Sequence, residues 1–307
     1  MRLCVLDLDG SVAAQPLFLD RRAAGAATFV EMRDLAPQLR LTGGRRAMEA
    51  FLGRLPPPGR DTDMFFYGSG DFHHLTAGLL RRVDEPVTVI HLDNHPDWLT
   101  FPPTFNCGGW VSRALRLPHV RKVITIGPCS PDLAAPDLKG ANLRALADGA
   151  LEVYPWRHPP SRLLSARMSA ASGWTGNTIR WHNVGGAAWE SFLSDLPRRI
   201  PTRAVWITLD KDVFCEPDAL TNWDQGEMSL VHALVLLRRI ATRHRIVGMD
   251  VCGDYSPARF RDPWRRFLAF TDHDCRRVRA ADHAVINARA NAQLLRLMED
   301  IFRERPE

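Results

Sequence analysis

Short runs of β-branched and aromatic residues alternate along the chain with stretches whose apolar positions recur at helical spacing. This pattern predicts strands over residues 3–8, 64–67, 87–92, 122–126, 178–182, 204–209 and 245–250, and helices over 75–82, 141–147, 187–196, 229–242 and 282–303. Within 229–242, Leu230, Leu234, Leu237 and Ala241 fall on one helical face, so that segment is not a further strand. Strands separated by helices are the signature of a parallel sheet covered on both faces. The predicted fold class is therefore α/β, a three-layer α/β/α sandwich with a mainly parallel sheet. Turn-rich stretches at 55–61, 100–109 and 158–176 divide no regions of different composition, so residues 1–307 are expected to form a single domain. The second and third are long enough to shape a pocket.

Composition narrows the class without naming a chemistry. Hydrophobic residues make up 45% and charged residues 24% of the chain, which excludes collagen-like and disordered classes. No apolar run approaches the ~18 residues of a membrane span, and the first acid, Asp7, comes too early for a secretory signal, so a cytoplasmic protein with no membrane partner is expected. The net charge is +5, but Lys122, Lys139 and Lys211 are the only lysines. The densest arginine cluster, Arg259, Arg261, Arg265, Arg266, Arg276, Arg277 and Arg279, is interleaved with Asp262, Asp272, Asp274 and Asp282. Mixed signs cancel the long-range field that nucleic acid responds to, so this stretch is expected to be a solvated face with no nucleic-acid partner. Cys4, Cys107, Cys129, Cys215, Cys252 and Cys275 are scattered without metal or redox spacing and are expected to be reduced thiols.

Ligands of an open parallel sheet gather beyond the carboxyl ends of its strands. Three predicted strands end in potential metal ligands: Asp93-Asn94-His95-Pro96-Asp97, Asp210-Lys211-Asp212, and Gly68-Ser69-Gly70-Asp71-Phe72-His73-His74. Alternate residues of extended backbone project to the same side, so residues two apart can converge. Four aspartates and two histidines brought together would be repulsive and desolvated unless cations neutralised them. Such an oxygen-rich set with imidazole suits Mn²⁺, and two bridged ions would lower the pKa of a shared water.

These segments resemble the arginase, or ureohydrolase, family. Asp93-Asn94-His95-Pro96-Asp97 is similar to its Asp-Ala-His-x-Asp signature and Thr208-Leu209-Asp210-Lys211-Asp212 to its Ser-x-Asp-x-Asp signature. Residues 68–74 are similar to its Gly-Gly-Asp-His segment, with altered spacing around Phe72, and the resemblance covers residues 60 to 260. It implies an arginase-like fold holding two Mn²⁺ ions per chain. By position, Asp93 and Asp210 would bridge the ions, His73 and Asp97 would complete one site, and His95 and Asp212 the other, with His74 an alternative to His73. Asp97 would also accept a hydrogen bond from the attacking water. The implied activity is hydrolysis of a guanidino C–N bond with release of urea.

The chain also departs from the family pattern. No histidine occurs in Phe105-Asn106-Cys107-Gly108-Gly109-Trp110, where arginases carry a proton shuttle; His182, at the end of a predicted strand, is the candidate replacement. Where arginases place a glutamate against the guanidinium, Asp254 in Gly248-Met249-Asp250-Val251-Cys252-Gly253-Asp254 is the nearest acid. The stretch from Gly127 to Asp132 lacks the residues that hold a free amino acid. These departures resemble peptide arginases, which convert arginine within a ribosomal peptide to ornithine and urea, and Trp98, Trp110 and Trp223 would suit such a substrate. The expected partner is a guanidino small molecule or an arginine-containing peptide, with self-association left open. The rival readings are an amidohydrolase of the related deacetylase type and a non-catalytic arginase-fold binding protein. Asp7-Leu8-Asp9 mimics the first motif of haloacid-dehalogenase phosphatases but lacks its companions, and Gly68-Ser69-Gly70 lacks a P-loop lysine. Cys107 and Cys252 are read as small buried residues.

Overall fold

The computed structural model describes residues 1–59, 61–101, 104–164, 176–258, 260–273 and 280–304. Its strands are β1 (Arg2–Asp7), β2 (Thr28–Glu31), β3 (Thr42–Gly43), β4 (Asp63–Phe66), β5 (Val87–Leu92) and β6 (Phe105–Asn106), followed by β7 (Val120–Ile126), β8 (Leu151–Tyr154), β9 (Ser161–Arg162), β10 (Thr178–Ile179), β11 (Ala204–Asp210) and β12 (Arg245–Cys252). Eight of them form one parallel sheet in the order β2-β1-β4-β12-β11-β5-β7-β8. After β5 the chain moves outward through β7 and β8, then returns to insert β11 and β12 beside β4. The ends of β4, β5, β11 and β12 therefore meet where the strand order reverses, the place where open sheets leave a crevice.

Alternation along each central strand sorts side chains onto two faces. Val205, Ile207 and Leu209 of β11 join Ile90 and Leu92 of β5 in one core, whereas Ala204 and Trp206 join Val87 and Val89 in the other. The first core is closed by helices Trp189–Arg199, Leu230–Ala241 and Ala280–Arg303, through residues such as Phe192, Leu237 and Leu294. The second is closed by helix Arg45–Arg54, through Met48 and Phe51, and by helix Trp110–Ala114. The three layers expected from the sequence are present.

Two readings need correction, and two edge strands were not anticipated. Residues 178–182 are not a strand of the main sheet, because Thr178–Ile179 pairs antiparallel with Ser161–Arg162 in a separate two-stranded sheet. The half-buried alternation Ile179, Trp181 imitates a sheet strand without one. The edge strands β2 and β8 have four residues each, too short for their alternation to stand out. Arg265 is not directed to solvent: its guanidinium donates to the carbonyls of Pro37, Gln38, Arg40 and Thr42, covering the C-terminal end of helix Ala36–Leu39. Arg259, Arg276, Arg277, Arg279, Asp274 and Cys275 lie outside the described residues, as does 165–175 of the turn-rich stretch at 158–176. Among the described residues no helix is long and apolar enough to cross a membrane.

Candidate metal centre

The register of the central strands places the acids. Leu209 of β11 pairs with Leu92 of β5, which brings Asp210 level with Asp93, and Asp210 pairs in turn with Cys252 of β12. Beyond β4, Ser69 caps the 3₁₀ turn Gly70–Leu75, accepting from the Asp71 N–H, and this turn carries His73 into the same space. An added Cβ at Gly70 or Gly253 would collide with the Asp210 carboxylate, so both glycines are required for this approach.

Convergence follows, but not through extended backbone. Asp210 ends its strand, and Lys211–Val213 is a 3₁₀ turn in which the Asp212 N–H donates to Asp210 Oδ1 at 3.2 Å. Asp97 sits in left-handed backbone with φ of 46°, after a bend beyond β5. A non-glycine residue held there is costly and persists only when its surroundings impose it. The Trp110 indole N–H, 2.6 Å from Asp97 Oδ2, is one such restraint.

All six expected ligands meet. His73 Nδ1 is 2.9 Å from Asp93 Oδ2, 3.3 Å from Asp97 Oδ2 and 3.6 Å from Asp210 Oδ2. On the other side, His95 Nδ1 is 2.9 Å from Asp212 Oδ2 and 3.5 Å from Asp93 Oδ1. Asp93 thus turns one oxygen to each side. His74, the alternative to His73, lies against Gly43 and has no hydrogen bond on either ring nitrogen. Burial, with His73 beside it, pushes the His74 imidazole down to about 3.

Electrostatics test whether a cation fits. Burial first, then the neighbouring carboxylates Asp210 and Asp93, push Asp212 well up. Burial and Asp93 push Asp210 up, and they raise Asp97 to about 7. These groups are crowded beyond what the two imidazoles neutralise. His73 supplies a second observation. Thr208 donates to Asp250 Oδ1 at 2.8 Å, so its oxygen accepts from His73 Nε2–H, also at 2.8 Å. The remaining Nδ1 is buried, makes no hydrogen bond and faces three carboxylates. A donor set of this kind fits a divalent cation. Three overlapping groups have ligand atoms within 4.8 Å of one another: His73, His91, Asp93 and Asp97; His73, Asp210 and Cys252; and Asp93, His95 and Asp212.

Two expected catalytic residues lie elsewhere. The Asp254 carboxylate is consumed by Lys211 Nζ at 2.5 Å and Gln15 Nε2 at 2.8 Å, with Asn291 Nδ2 also in reach, and is 1% exposed. These contacts tie the β12 loop to β11, to the N-terminal segment and to the C-terminal helix. His182 packs edge-on to Tyr154 at the outer strand β8, in a cavity of about 360 Å³ shared with Arg180 and Arg199. This places it at the outer edge of the sheet, with β7 and β5 between it and the acids that follow β11. Trp98 and Trp110 are fully buried packing residues, whereas Trp223 is half-buried with its ring against His95.

The sequence reading did not assign Asp224 or His91 to the cluster, and it took Cys252 only as a small buried residue. Asp224 Oδ1 is 2.8 Å from His95 Nε2, giving a carboxylate–histidine pair behind a ligand nitrogen. Cys252 donates its thiol to Asp210 Oδ2 at 3.2 Å. His91 contacts Asp93. His91 alone carried a readable signal, standing two positions before Asp93 on the same face of the strand.

Comparison with known proteins agrees with this geometry at the level of fold. No protein-family model matches the chain. An uncharacterized protein of Thermotoga maritima is 24% identical over 195 residues, a match spanning 64% of this chain and 59% of that protein. A hypothetical agmatinase of Burkholderia thailandensis superposes with a TM-score of 0.57 at 15% identity, over 99% of this chain and 87% of that one. Arginase from Bacillus cereus gives 0.57 at 13% identity over the whole of both chains, and an agmatine ureohydrolase of Thermoplasma volcanium 0.55 at 13% over 99% and 92%. The chain has the arginase-like fold. Within that fold the buried histidine and aspartate groups form a plausible metal site at the carboxyl end of the sheet.

Proposed function

We propose that the chain, acting as one domain over residues 1–307, is a binuclear manganese-dependent hydrolase that cleaves the guanidino C–N bond of arginine, free or within a peptide, to ornithine and urea. The observation that carries this reading is the unpartnered, buried Nδ1 of His73 facing Asp93, Asp97 and Asp210, in a fold shared with an arginase and agmatinases. His73, Asp93, Asp97 and Asp210 would hold one ion, and Asp93, His95, Asp210 and Asp212 the other. Ions bound there would supply Lewis acidity and lower the pKa of a water between them. Asp97 would orient that water. Its Oδ2 accepts from the Trp110 indole N–H, which fixes the carboxylate for that task. Half-buried Trp223 beside His95 supplies an aromatic wall for an arginine side chain.

The occupation of Asp254 by Lys211 favours a second reading. With no acid identified for the guanidinium, an amide-cleaving hydrolase of the deacetylase type accounts for the same ligand set. Incubation of the Mn²⁺-loaded protein with arginine, agmatine, arginine-containing peptides and acetylated lysine peptides separates the two. Urea with an ornithine-type product, abolished in Asp212→Ala, is expected; acetate release without urea would replace the first reading by the second.

A further inference from the structure

We infer that His91 is a positioning residue for the metal centre: its Nε2–H fixes the Asp93 carboxylate so that one oxygen faces each half of the site. The inference rests on the proposed reading of Asp93 as a shared metal ligand.

His91 is on β5 two residues before Asp93, so both side chains leave the same face of the strand. The imidazole is fully buried among His73 and Trp110, with ring centroids 5.2 and 4.9 Å away. Its Nε2 is 2.8 Å from Asp93 Oδ2 and its Nδ1 3.0 Å from Thr125 Oγ1. Thr125 is the residue directly opposite His91 in the pairing of β5 with β7. An ionised carboxylate only accepts, so Nε2 carries the hydrogen; in the neutral ring Nδ1 must then accept from the threonine hydroxyl. The chain of donors runs Thr125 to His91 to Asp93 and has a single direction.

Asp93 shows what the contact achieves. Oδ2 takes one hydrogen bond from His91, and Oδ1 takes one from the His95 backbone N–H at 2.6 Å. Each oxygen keeps a second lone pair. The one on Oδ2 is toward His73, and the one on Oδ1 toward His95. His91 and His73 differ in this respect: His91 is hydrogen-bonded through both nitrogens, whereas His73 Nδ1 is left over. His91 therefore orients the carboxylate, and His73 is the ligand. Without His91, Asp93 Oδ2 keeps only its approach to His73 Nδ1, and the carboxylate is freer to rotate away from a shared geometry.

The test is a Mn²⁺ titration of the full chain, following free Mn²⁺ by electron paramagnetic resonance and the bound ion's nitrogen couplings by pulsed methods. His91→Leu is expected to weaken binding by about 10–100-fold with the nitrogen couplings unchanged, the usual cost of losing a group one contact beyond a ligand. His91→Gln, which can keep an N–H toward Asp93, should recover part of the loss. Thr125→Val, which removes only the outer hydroxyl, should weaken binding less than His91→Leu, and it decides the matter if the leucine variant does not fold. Wild-type affinity in His91→Leu, or in Thr125→Val and His91→Gln together with an unfolded leucine variant, would overturn the inference. Loss of a nitrogen coupling in His91→Leu would overturn it too, by making His91 a ligand. No Mn²⁺ bound by the wild-type chain would instead remove the reading of Asp93, and this inference with it.

Discussion

Two groups of buried aspartates stand within a few residues of each other and are treated differently. Asp254 is satisfied by the protein: Lys211 supplies the opposite charge, and Gln15 and Asn291 supply amide donors from distant segments. The acids around His73 are not satisfied in this way, and burial with mutual repulsion pushes Asp97, Asp210 and Asp212 upward. Burial alone does not mark a functional carboxylate. The distinction lies in whether the chain provides its neutralising partner, because an ion pair that is complete internally ties segments together, while an incomplete one needs a cation from outside. By this criterion Asp254 binds the β12 loop and the C-terminal helix to Lys211, and Asp97, Asp210 and Asp212 are the carboxylates left short of a counter-charge.

The comparison can be broken most forcefully at Lys211. Asp254→Ala leaves a buried ammonium without its partner, for an expected loss of about 3–5 kcal/mol in chemical denaturation. Pairing it with Lys211→Met should recover most of that loss, and a single variant as stable as wild type would contradict the structural role. Asp71 gives a smaller, pH-dependent version. Burial alone would raise its carboxyl, but the Arg40 guanidinium and His273 hold it well below the usual carboxylate range. The ionised form is therefore favoured by folding, a contribution present above the unfolded carboxylate range and lost as pH falls through the folded value. Asp71→Asn should cost about 1.5–3 kcal/mol near neutrality, on the scale of a charged hydrogen bond. The gap to wild type should close in acid; an equal gap at all pH values would count against it. The mildest change is Asp224→Ala, on the exposed side of His95. It should leave folding intact and weaken Mn²⁺ binding by about 10–100-fold, as isothermal titration would register; unchanged affinity would reduce Asp224 to a surface residue.

Much of the fold was legible because it depends on local periodicity. The central strands and the helices of 229–242 and 282–303 follow from alternation and helical spacing, and the structure moves their ends by only one or two residues. The short edge strands carried too little pattern. For the site, Asp93, His95, Asp97, Asp210 and Asp212 were visible as acids and imidazoles at strand ends, but the assumed route to convergence differed: turns and one left-handed residue bring them together. Asp254 and His182 were named from position alone, and position could not reveal that Lys211 sits beside the one or that the other packs on β8 at the outer edge of the sheet.

The sequence by itself determined a parallel α/β sheet and the residue types gathered at its carboxyl edge, since hydrophobic alternation and ligand spacing are properties of neighbours along the chain. Only the tertiary structure decided which carboxylates are already neutralised, which nitrogen of His73 is left without a hydrogen bond, and that His91 stands behind Asp93. Those outcomes depend on Lys211, Thr208 and Thr125, whose contacts are set by strand order and register, and hydrogen bonding and charge compensation act across space rather than along the chain.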